Sequence, residues 1–438
     1  MRSTRSKRPQ ELPTDAPKGA PAGAVFQQRP LAPDPAAPIP AAVLRSAARH
    51  PLLYRKRIAQ IDRARPGELV AVYGPAQELL GYGLYNPRSE IAIRMLFTGA
   101  DLPDDLRWQQ RLEQAARLRQ DLLRLDDVTD AYRLVHAEAD GLSGLVVDRL
   151  GDTLSAEVFS LGMYQRSVAI LARLAALTGT RHTLLRPSPQ FLSQEGYEPP
   201  QIASPELPEQ VTIHEYGTRF RVRFSGAHKT GFFCDQRENR RRLAEFCRGR
   251  SVLDLCCYTG GFSVQAKRLG EAAEVTGVDL DEEPLRLARE NANLNQVRIH
   301  FVQADAFTYM REMLAQGRQY DVLVLDPPKL VRNRAELEEG TRKHFDLNRL
   351  AMRLVRPGGL MLSCCCSGLL QEADFLRLLC SAAWQAGPLL SAATDDCRER
   401  HAARPMQILA RTGAAADHPI AASVPESEYL KAVWMRLG

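Results

Sequence analysis

The chain has 438 residues, 45% hydrophobic and 25% charged, which is too long for one ordinary domain and typical of a globular protein with two or three. No apolar run approaches the roughly 18 residues a membrane helix needs, and the N-terminus lacks the apolar stretch of a secretion signal, so a cytoplasmic protein without a membrane partner is expected. A formal net charge of +6 permits a polyanionic partner without demanding one.

Residues 1–40 are rich in Pro and Ala and poor in large apolar side chains, and are read as a disordered tail that cannot offset its ordering entropy. From 41 to 100, short alternating runs such as "LVAVYG" and "IAIRMLF", punctuated by Gly67, Gly74, Gly81 and Gly83, predict a small barrel-like β domain. Its first turn carries Arg45, Arg49, Arg55, Lys56 and Arg57 with no acid between 41 and 57. Taken alone, that run is a solvated face. Residues 104–124 carry a helical apolar stripe through Leu106, Leu112, Ala116, Leu118 and Leu122. The segment 101–225 then mixes helix with strand: a hairpin around Gly141, Gly144 and Gly151, a helix over 160–178, and a second hairpin turning at Gly217.

The large domain is drawn from 226 to 438. After about residue 250 it settles into regular alternation: strands in "SVLDLCC", "EVTGVDL", "IHFVQAD", "YDVLVLD" and "GGLMLSCCC", separated by helices over 262–269, 283–294, 306–316, 334–355 and 371–386, with two closing strands near 403–411 and 429–436. Repeated βα units with apolar strands imply an α/β fold with a Rossmann-like, doubly wound, mostly parallel sheet covered on both faces.

Ligands of such sheets bind beyond the carboxyl ends of the strands. The first strand leads into Asp254-Leu-Cys-Cys-Tyr-Thr-Gly-Gly261, a turn that brings backbone close to a ligand before a helix N-terminus. It is not the dinucleotide pattern G-x-G-x-x-G. Strand two ends in Asp279, about 25 residues after Asp254, where an acid can accept ribose hydroxyls. Strand three leads to Asp305-Ala306, and strand four to Asp326-Pro327-Pro328-Lys329.

These motifs resemble the ribosomal RNA large-subunit methyltransferases that make 5-methylcytosine and carry an N-terminal PUA domain. The resemblance runs from about Val43 to the C-terminus. It rests on "RHP" at 49–51, "DGLSGLVVDRLGD" at 140–152, "HKTGFFCDQRENR" at 228–240, "LDLCCYTGGFSV" at 253–264, "LDPPKL" at 325–330, "CSG" at 366–368 and "ADHPI" at 416–420. It implies a class I methyltransferase domain binding S-adenosyl-L-methionine. Tyr258, Thr259 and Gly260 would face the methionine moiety, Asp279 the ribose, and Asp305 with Ala306 the adenine. Pro327 would add a further cofactor contact, and the segment Lys229–Phe232 would pack against the cofactor. The Arg-rich run gains weight as an RNA contact (Arg49, Arg55, Lys56, Arg57), since PUA domains bind structured RNA through phosphates. The implied partner is large-subunit rRNA, with a homodimer as an option.

Carbon 5 of cytosine is a poor nucleophile. Enzymes of this type add a cysteine thiolate to carbon 6, so the protein must supply a thiolate beside the cofactor and a group near N3. By resemblance Cys366, followed by Ser-Gly, is that nucleophile. Alternation places Cys364 and Cys366 on one face and Cys365 on the other, and Cys364 and Cys365 are read as small buried residues. Asp326 can hydrogen-bond N3 or the 4-amino group. Lys329 stands where amino-directed methyltransferases place an aromatic, and is read as a phosphate or thiolate contact or a surface ion pair. His50 is read as structural. The nine cysteines form no Cys-x-x-Cys couple, so free thiols and no metal site are expected. Two other readings remain at this point: methylation of a guanine ring nitrogen on the same fold, and a non-catalytic RNA-binding ribosome assembly factor.

Overall fold

Glycine-punctuated alternation gives residues 41–98 six short strands: β1 (Ala41–Leu44), β2 (Leu52–Leu53), β3 (Ile58–Ile61), β4 (Leu69–Tyr73), β5 (Leu79–Tyr85) and β6 (Ile93–Thr98). They form one sheet in the order β2-β6-β5-β4-β1-β3, antiparallel except for the β1–β4 pair. Ala42, Leu44, Leu53, Ile58, Val70, Val72 and Ile93 make its core. Gly81 permits the β5–β6 approach: its φ is +146°, and a Cβ there would lie 2.0 Å from the Phe97 carbonyl oxygen. The computed structural model describes residues 24–225, 230–387 and 403–438.

Residues 24–40 of the segment read as a tail, 1–40, are placed in the structure. Residues 1–23 lie outside the described residues, but the chain is placed from Ala24 onward. Phe26 meets Tyr164 and Tyr197 edge-on at 6.0 and 6.4 Å, the Arg29 amide donates to the Gln165 carbonyl at 2.6 Å, and Leu31 is buried. Few apolar residues occur in 24–40, but those present find partners.

The expected helix over 104–124 is α1 (Asp105–Arg117), continued by a π-helical turn at Leu118–Leu122. The glycine-rich hairpin is three strands, β7 (Ala131–His136), β8 (Leu145–Leu150) and β9 (Thr153–Val158). With β10 (His182–Pro187) and β11 (Ile202–Ala203) they form a five-stranded sheet ordered β11-β10-β9-β8-β7. The helix over 160–178 is broken into α2 (Leu161–Tyr164) and α3 (Ser167–Thr178), and α4 spans Phe191–Glu195. The second hairpin pairs β12 (Gln210–Glu215) with β13 (Thr218–Arg223), and both turn residues, Tyr216 and Gly217, have positive φ, the geometry a two-residue hairpin turn requires.

Two units result. One runs through Arg117 and includes Leu134–Val147 and Thr153–Leu207. The other holds Leu118–Arg133, Asp148–Asp152 and Pro208–Gly438. The break expected at 225/226 therefore falls earlier, because buried ion pairs tie preceding segments into the larger unit. Arg133 pairs with Asp148 at 2.5 Å, and Arg240 with Glu215 at 2.5 Å.

That larger unit carries a seven-stranded sheet: β14 (Ser251–Leu255), β15 (Glu274–Asp279), β16 (His300–Gln303), β17 (Tyr320–Leu325), β18 (Val355–Cys365), β19 (Met406–Thr412) and β20 (Lys431–Leu437), ordered β16-β15-β14-β17-β18-β20-β19. Strands β14 to β18 are parallel, and β20 runs antiparallel between β18 and β19. The order reverses direction at β14/β17, the switch point where ligands of such sheets bind. The helices are α5 (Arg237–Ala244), α6 (Gly261–Arg268), α7 (Glu282–Leu294), α8 (Ala306–Ala315), α9 (Leu337–Leu354) and α10 (Glu372–Ala386).

Strand β18 shows how the sheet divides its cores. Leu360, Leu362 and Cys364 pack with Val252, Phe262 and Trp434 on one face. Met361 and Cys365 pack with Leu350, Phe375 and Leu379 on the other. Cys364 and Cys365 therefore point to opposite faces, as the pleat requires; Cys366 lies beyond the end of the strand.

Candidate active site

The acids and the thiol singled out from the sequence converge on the carboxyl edge of this sheet. After β14 the chain turns through Cys256, Tyr258 and Gly260, all with positive φ. Two non-glycine residues in the left-handed region cost of order 1 kcal/mol or more each, a strain that persists only where surrounding structure enforces it. Here the Cys257 amide donates to the Val278 carbonyl at 3.0 Å, and the Tyr258 amide to Asp279 Oδ2 at 2.8 Å. Asn291 donates to the Thr259 carbonyl at 3.0 Å, and the Phe233 ring meets the Tyr258 ring edge-on at 5.1 Å. Phe232, by contrast, turns inward against Phe220 at 5.4 Å, so the aromatic that reaches this turn is Phe233. Lys229 lies outside the described residues.

Asp279 also accepts from the Asp281 amide at 3.1 Å. Asp305 lies beyond the end of β16 and caps α8, its Oδ1 accepting from the Thr308 amide at 3.0 Å. Ala306, next to it, is half-buried.

Asp254 lies within β14 and is fully buried. Its Oδ2 accepts from the Ser263 amide and hydroxyl at 2.9 and 2.6 Å, while its Oδ1 is buried with no hydrogen-bond partner. Burial pushes its carboxyl up to about 7, and the Asp326 and Asp279 charges add to the shift against the Ser263 hydrogen bonds.

Asp326 follows the last residue of β17. Its amide donates to the Leu255 carbonyl at 3.3 Å, and its Oδ2 accepts from Gln236 Nε2 at 3.0 Å. Gln236 is buried and fixed in turn, because its Oε1 accepts from Asn239 at 2.6 Å. Asn239 accepts from Thr412 at 2.7 Å, and Thr412 from the Trp434 indole at 2.9 Å. Gln236 belongs to the "HKTGFFCDQRENR" string, yet nothing in that string marks it as the residue that orients Asp326. Only the approach of the segment just before α5 to the edge of β17 does so.

Cys366 follows β18 and is half-buried, whereas Cys364 and Cys365 are fully buried. Burial pushes the Cys364 thiol well above the usual thiol range and the Cys365 thiol upward. The Cys366 sulfur stands 3.9 Å from the Pro327 carbonyl oxygen, so the thiol faces the Asp-Pro-Pro turn. Ser367 ties the two loops together by accepting from the Val331 amide at 3.2 Å. Lys329 is exposed at the surface of the same turn.

In the other unit, Arg49, Lys56 and Arg57 are exposed. Arg55 is half-buried, and its guanidinium donates to the Ser89 carbonyl at 3.1 Å, so part of its donor capacity serves the fold. His50 accepts from the Leu52 amide through Nδ1 at 3.1 Å, in keeping with a structural role. The eight cysteines among the described residues are free thiols, and no helix among those residues is long and apolar enough to cross a membrane.

A parallel sheet with this strand order, an acid-lined carboxyl edge and a bent turn leading into a helix defines a Rossmann-like methyltransferase domain. Residues 144–390 match the family described as S-adenosylmethionine-dependent methyltransferase, and residues 40–98 match the PUA-like domain. The chain is 34% identical to the Ribosomal RNA large subunit methyltransferase I of Photobacterium profundum, covering 87% of this chain and 94% of that protein. It is also 34% identical to the protein of the same name from Shewanella frigidimarina, covering 89% and 96%. Among solved structures it resembles a SAM-dependent methyltransferase from Streptococcus mutans (TM-score 0.71, 18% identity, covering 90% of this chain and 99% of that one). A second resemblance is to SMU.776, a methyltransferase crystallised with SAH (TM-score 0.71, 20% identity, 88% and 95%). The chain belongs to the S-adenosylmethionine-dependent methyltransferases and, within them, to the family of these PUA-bearing ribosomal RNA large subunit methyltransferase I proteins.

The edge suits a cationic cofactor. S-Adenosylmethionine carries a sulfonium and an α-ammonium, and β14, β15 and β17 bring Asp254, Asp279 and Asp326 to this edge, the buried Oδ1 of Asp254 having no hydrogen-bond partner. A carboxyl held near pH 7 loses its proton when a cation settles beside it. Cofactor binding near pH 6 is therefore expected to release protons. Titration calorimetry in buffers of different ionisation enthalpy reads that release. It should disappear in Asp254→Asn, and equal heats in all buffers for the unmodified protein would rule the coupling out.

Proposed function

We propose that this enzyme forms 5-methylcytosine in large-subunit ribosomal RNA, in the cytoplasm, with Cys366 as nucleophile and Asp326 as the group that meets the base. The observation that carries the reading is the 3.9 Å approach of the Cys366 sulfur to the Pro327 carbonyl. The thiol and the Asp326 carboxylate then lie on neighbouring loops, after β18 and β17, next to the switch point. Similarity to relatives named for large-subunit rRNA supports the substrate.

S-Adenosylmethionine, when bound, supplies an electrophilic methyl group. Tyr258, Thr259 and Gly260 would flank its methionine end, Asp279 the ribose hydroxyls, and Asp305, Ala306 and Pro327 the remainder. The Cys366 thiolate forms a bond to cytosine carbon 6, and the displaced π electrons enrich carbon 5. Asp326, oriented by Gln236, accepts from the 4-amino group and shares a proton with N3 as charge collects there, so that the ring nitrogen is neutralised. Once carbon 5 is methylated it gives its proton to water, the C5–H electron pair restores the C5–C6 double bond, and the carbon–sulfur bond breaks with its electron pair returning to Cys366. Exposed Arg49, Lys56 and Arg57, with Lys329 at the catalytic edge, supply phosphate contacts that position RNA without reading its sequence; Arg55 contributes the donors it does not spend on Ser89.

The test is nucleoside mass spectrometry and bisulfite mapping of large-subunit rRNA from cells with and without the gene. One 5-methylcytosine is expected to vanish on deletion and return on complementation. Loss of a methylguanosine instead would move the chemistry to a ring nitrogen and leave Cys366 without this role.

A further inference from the structure

We propose that Lys431 is the positioning residue for the Cys366 nucleophile: its ammonium anchors the loop that carries the thiol and supplies the positive charge against which the thiolate forms. The inference rests on Cys366 being the nucleophile.

Because β20 runs antiparallel to β18, its first residue lies at the carboxyl edge of the parallel strands. Lys431 pairs there with Cys365, and Ala432 with Cys364. Residues directly opposite one another in an antiparallel pair project to the same face, so Lys431 leaves the sheet on the Cys365 side, and its long side chain reaches the Cys366 loop through Ser367, the residue after the nucleophile. The Lys431 side chain is 6% exposed, unusual for a lysine. Its ammonium donates to the Ser367 carbonyl at 2.6 Å and to the Tyr429 carbonyl at 3.0 Å. Among the described residues no carboxylate lies within ion-pair distance of it.

Lys431 therefore hydrogen-bonds two neutral acceptors, and Glu428 acts on it only from beyond ion-pair distance. A buried cation in that state is costly, and an anion forming beside it is favoured by the same interaction. The acids and bases that face it are few. Cys365 and Cys366 on the β18 side and Glu428 ahead of β20 favour its charged form. Lys329 on the Asp-Pro-Pro turn opposes it, and burial has the largest influence, pushing its pKa down. His344 on α9 is buried and held down to about 4, by burial first and then by the Lys431 charge, so it stays neutral. Asp326, across the Pro327 carbonyl from the sulfur, is the negative group that a Cys366 thiolate must tolerate. Cys365 is sealed in the apolar core, so Cys366, half-exposed at the cleft, is the thiol that can ionise toward a substrate. The Ser367 carbonyl held by Lys431 belongs to the residue after the nucleophile, and the Ser367 hydroxyl is the one that binds the Asp-Pro-Pro turn. One side chain thus sets both the place and the field of the sulfur.

The test compares the full-length protein with Lys431→Gln, Lys431→Met and Lys431→Arg. Iodoacetamide labelling is followed from pH 6 to 10, with Cys366 read by peptide mass spectrometry. Glutamine can still donate to the Ser367 carbonyl but carries no charge. In Lys431→Gln the labelling midpoint of Cys366 is expected to rise by about one pH unit, which makes alkylation at pH 7 about tenfold slower. The pH profile of kcat should move the same way, with cofactor affinity unchanged, and Lys431→Arg should keep the wild-type midpoint. Lys431→Met should add a loss of loop order, and its failure to fold would leave the Gln and Arg pair to decide. An unmoved midpoint in a folded Lys431→Gln protein would overturn the proposal. Full methyl transfer by Cys366→Ala would overturn the nucleophile reading instead, and the labelling midpoints would still report whether Lys431 and the thiol are coupled.

Discussion

Cys366→Ala is expected to remove methyl transfer, a loss on the order of 10³-fold or more for deletion of a covalent nucleophile, while S-adenosylmethionine still binds within about twofold in calorimetry. The separation follows from geometry. The thiol faces the Pro327 carbonyl at 3.9 Å, while the strained turn after β14 is held by β15 and α7 through Val278, Asp279 and Asn291. Cys364→Ala and Cys365→Ala serve as internal controls. Both side chains lie in buried clusters on opposite faces of β18, so their truncation should cost stability, about 1–2 kcal/mol each, and leave transfer measurable; Cys365→Ala is the cleaner control, because Cys364 also hydrogen-bonds Gln236. An RNA substrate carrying 5-fluorocytosine sharpens the test, because the fluorine cannot leave as a proton does and the carbon–sulfur adduct accumulates. A denaturation-resistant protein–RNA band is expected for the unmodified protein and not for Cys366→Ala. Persistence of that band in the variant would assign the adduct to another residue.

The parts of this site legible in the sequence were those fixed by local periodicity. Strand ends follow from βα alternation, so the sequence alone sets Asp279, Asp326 and Cys366 on one edge, and the alternation of Cys364 and Cys365 follows from the pleat. Residues that act through long-range pairing were not legible. Gln236 reaches Asp326 across 90 positions, and Lys431 meets the Ser367 carbonyl across 64. Both depend on which strand lies beside β18, and the order β18-β20-β19 is a tertiary fact that no local pattern encodes. Phe26 and Leu31 show the converse error. Composition averages over a segment, whereas two apolar side chains with partners suffice to place it. Arg55 illustrates a third limit, since charge counting cannot tell a guanidinium offered to solvent from one spent on a main-chain carbonyl.

The string "ADHPI" belongs to the fold rather than the chemistry, and this sets the largest expected stability effect. Arg237 and Asp417 are both fully buried and form a two-pronged pair, with Nη1 to Oδ2 at 3.0 Å and Nη2 to Oδ1 at 2.9 Å. Asp417 also accepts from the Arg133 amide at 2.8 Å, and Arg119 donates to its carbonyl at 2.8 Å. Burial alone would raise the Asp417 carboxyl, but His418 and Arg237 outweigh it and hold the group far below the usual carboxylate range. A depressed folded pKa means that this stabilisation is complete above the unfolded value of about 3.9 and is lost progressively as pH falls below it. Arg237→Met, which strands a buried carboxylate, is expected to cost about 3–5 kcal/mol, or roughly 6–20 °C in thermal midpoint for a unit of this size. Replacing both partners, as Arg237→Met with Asp417→Leu, should cost less than Arg237→Met alone, because no charge is then left unpaired. Thermal melts of the two variants and the parent at pH 7 and pH 4 decide this. A double variant at least as damaged as the single one would mean that the pair contributes through the Arg133 and Arg119 contacts it organises rather than through its own charges.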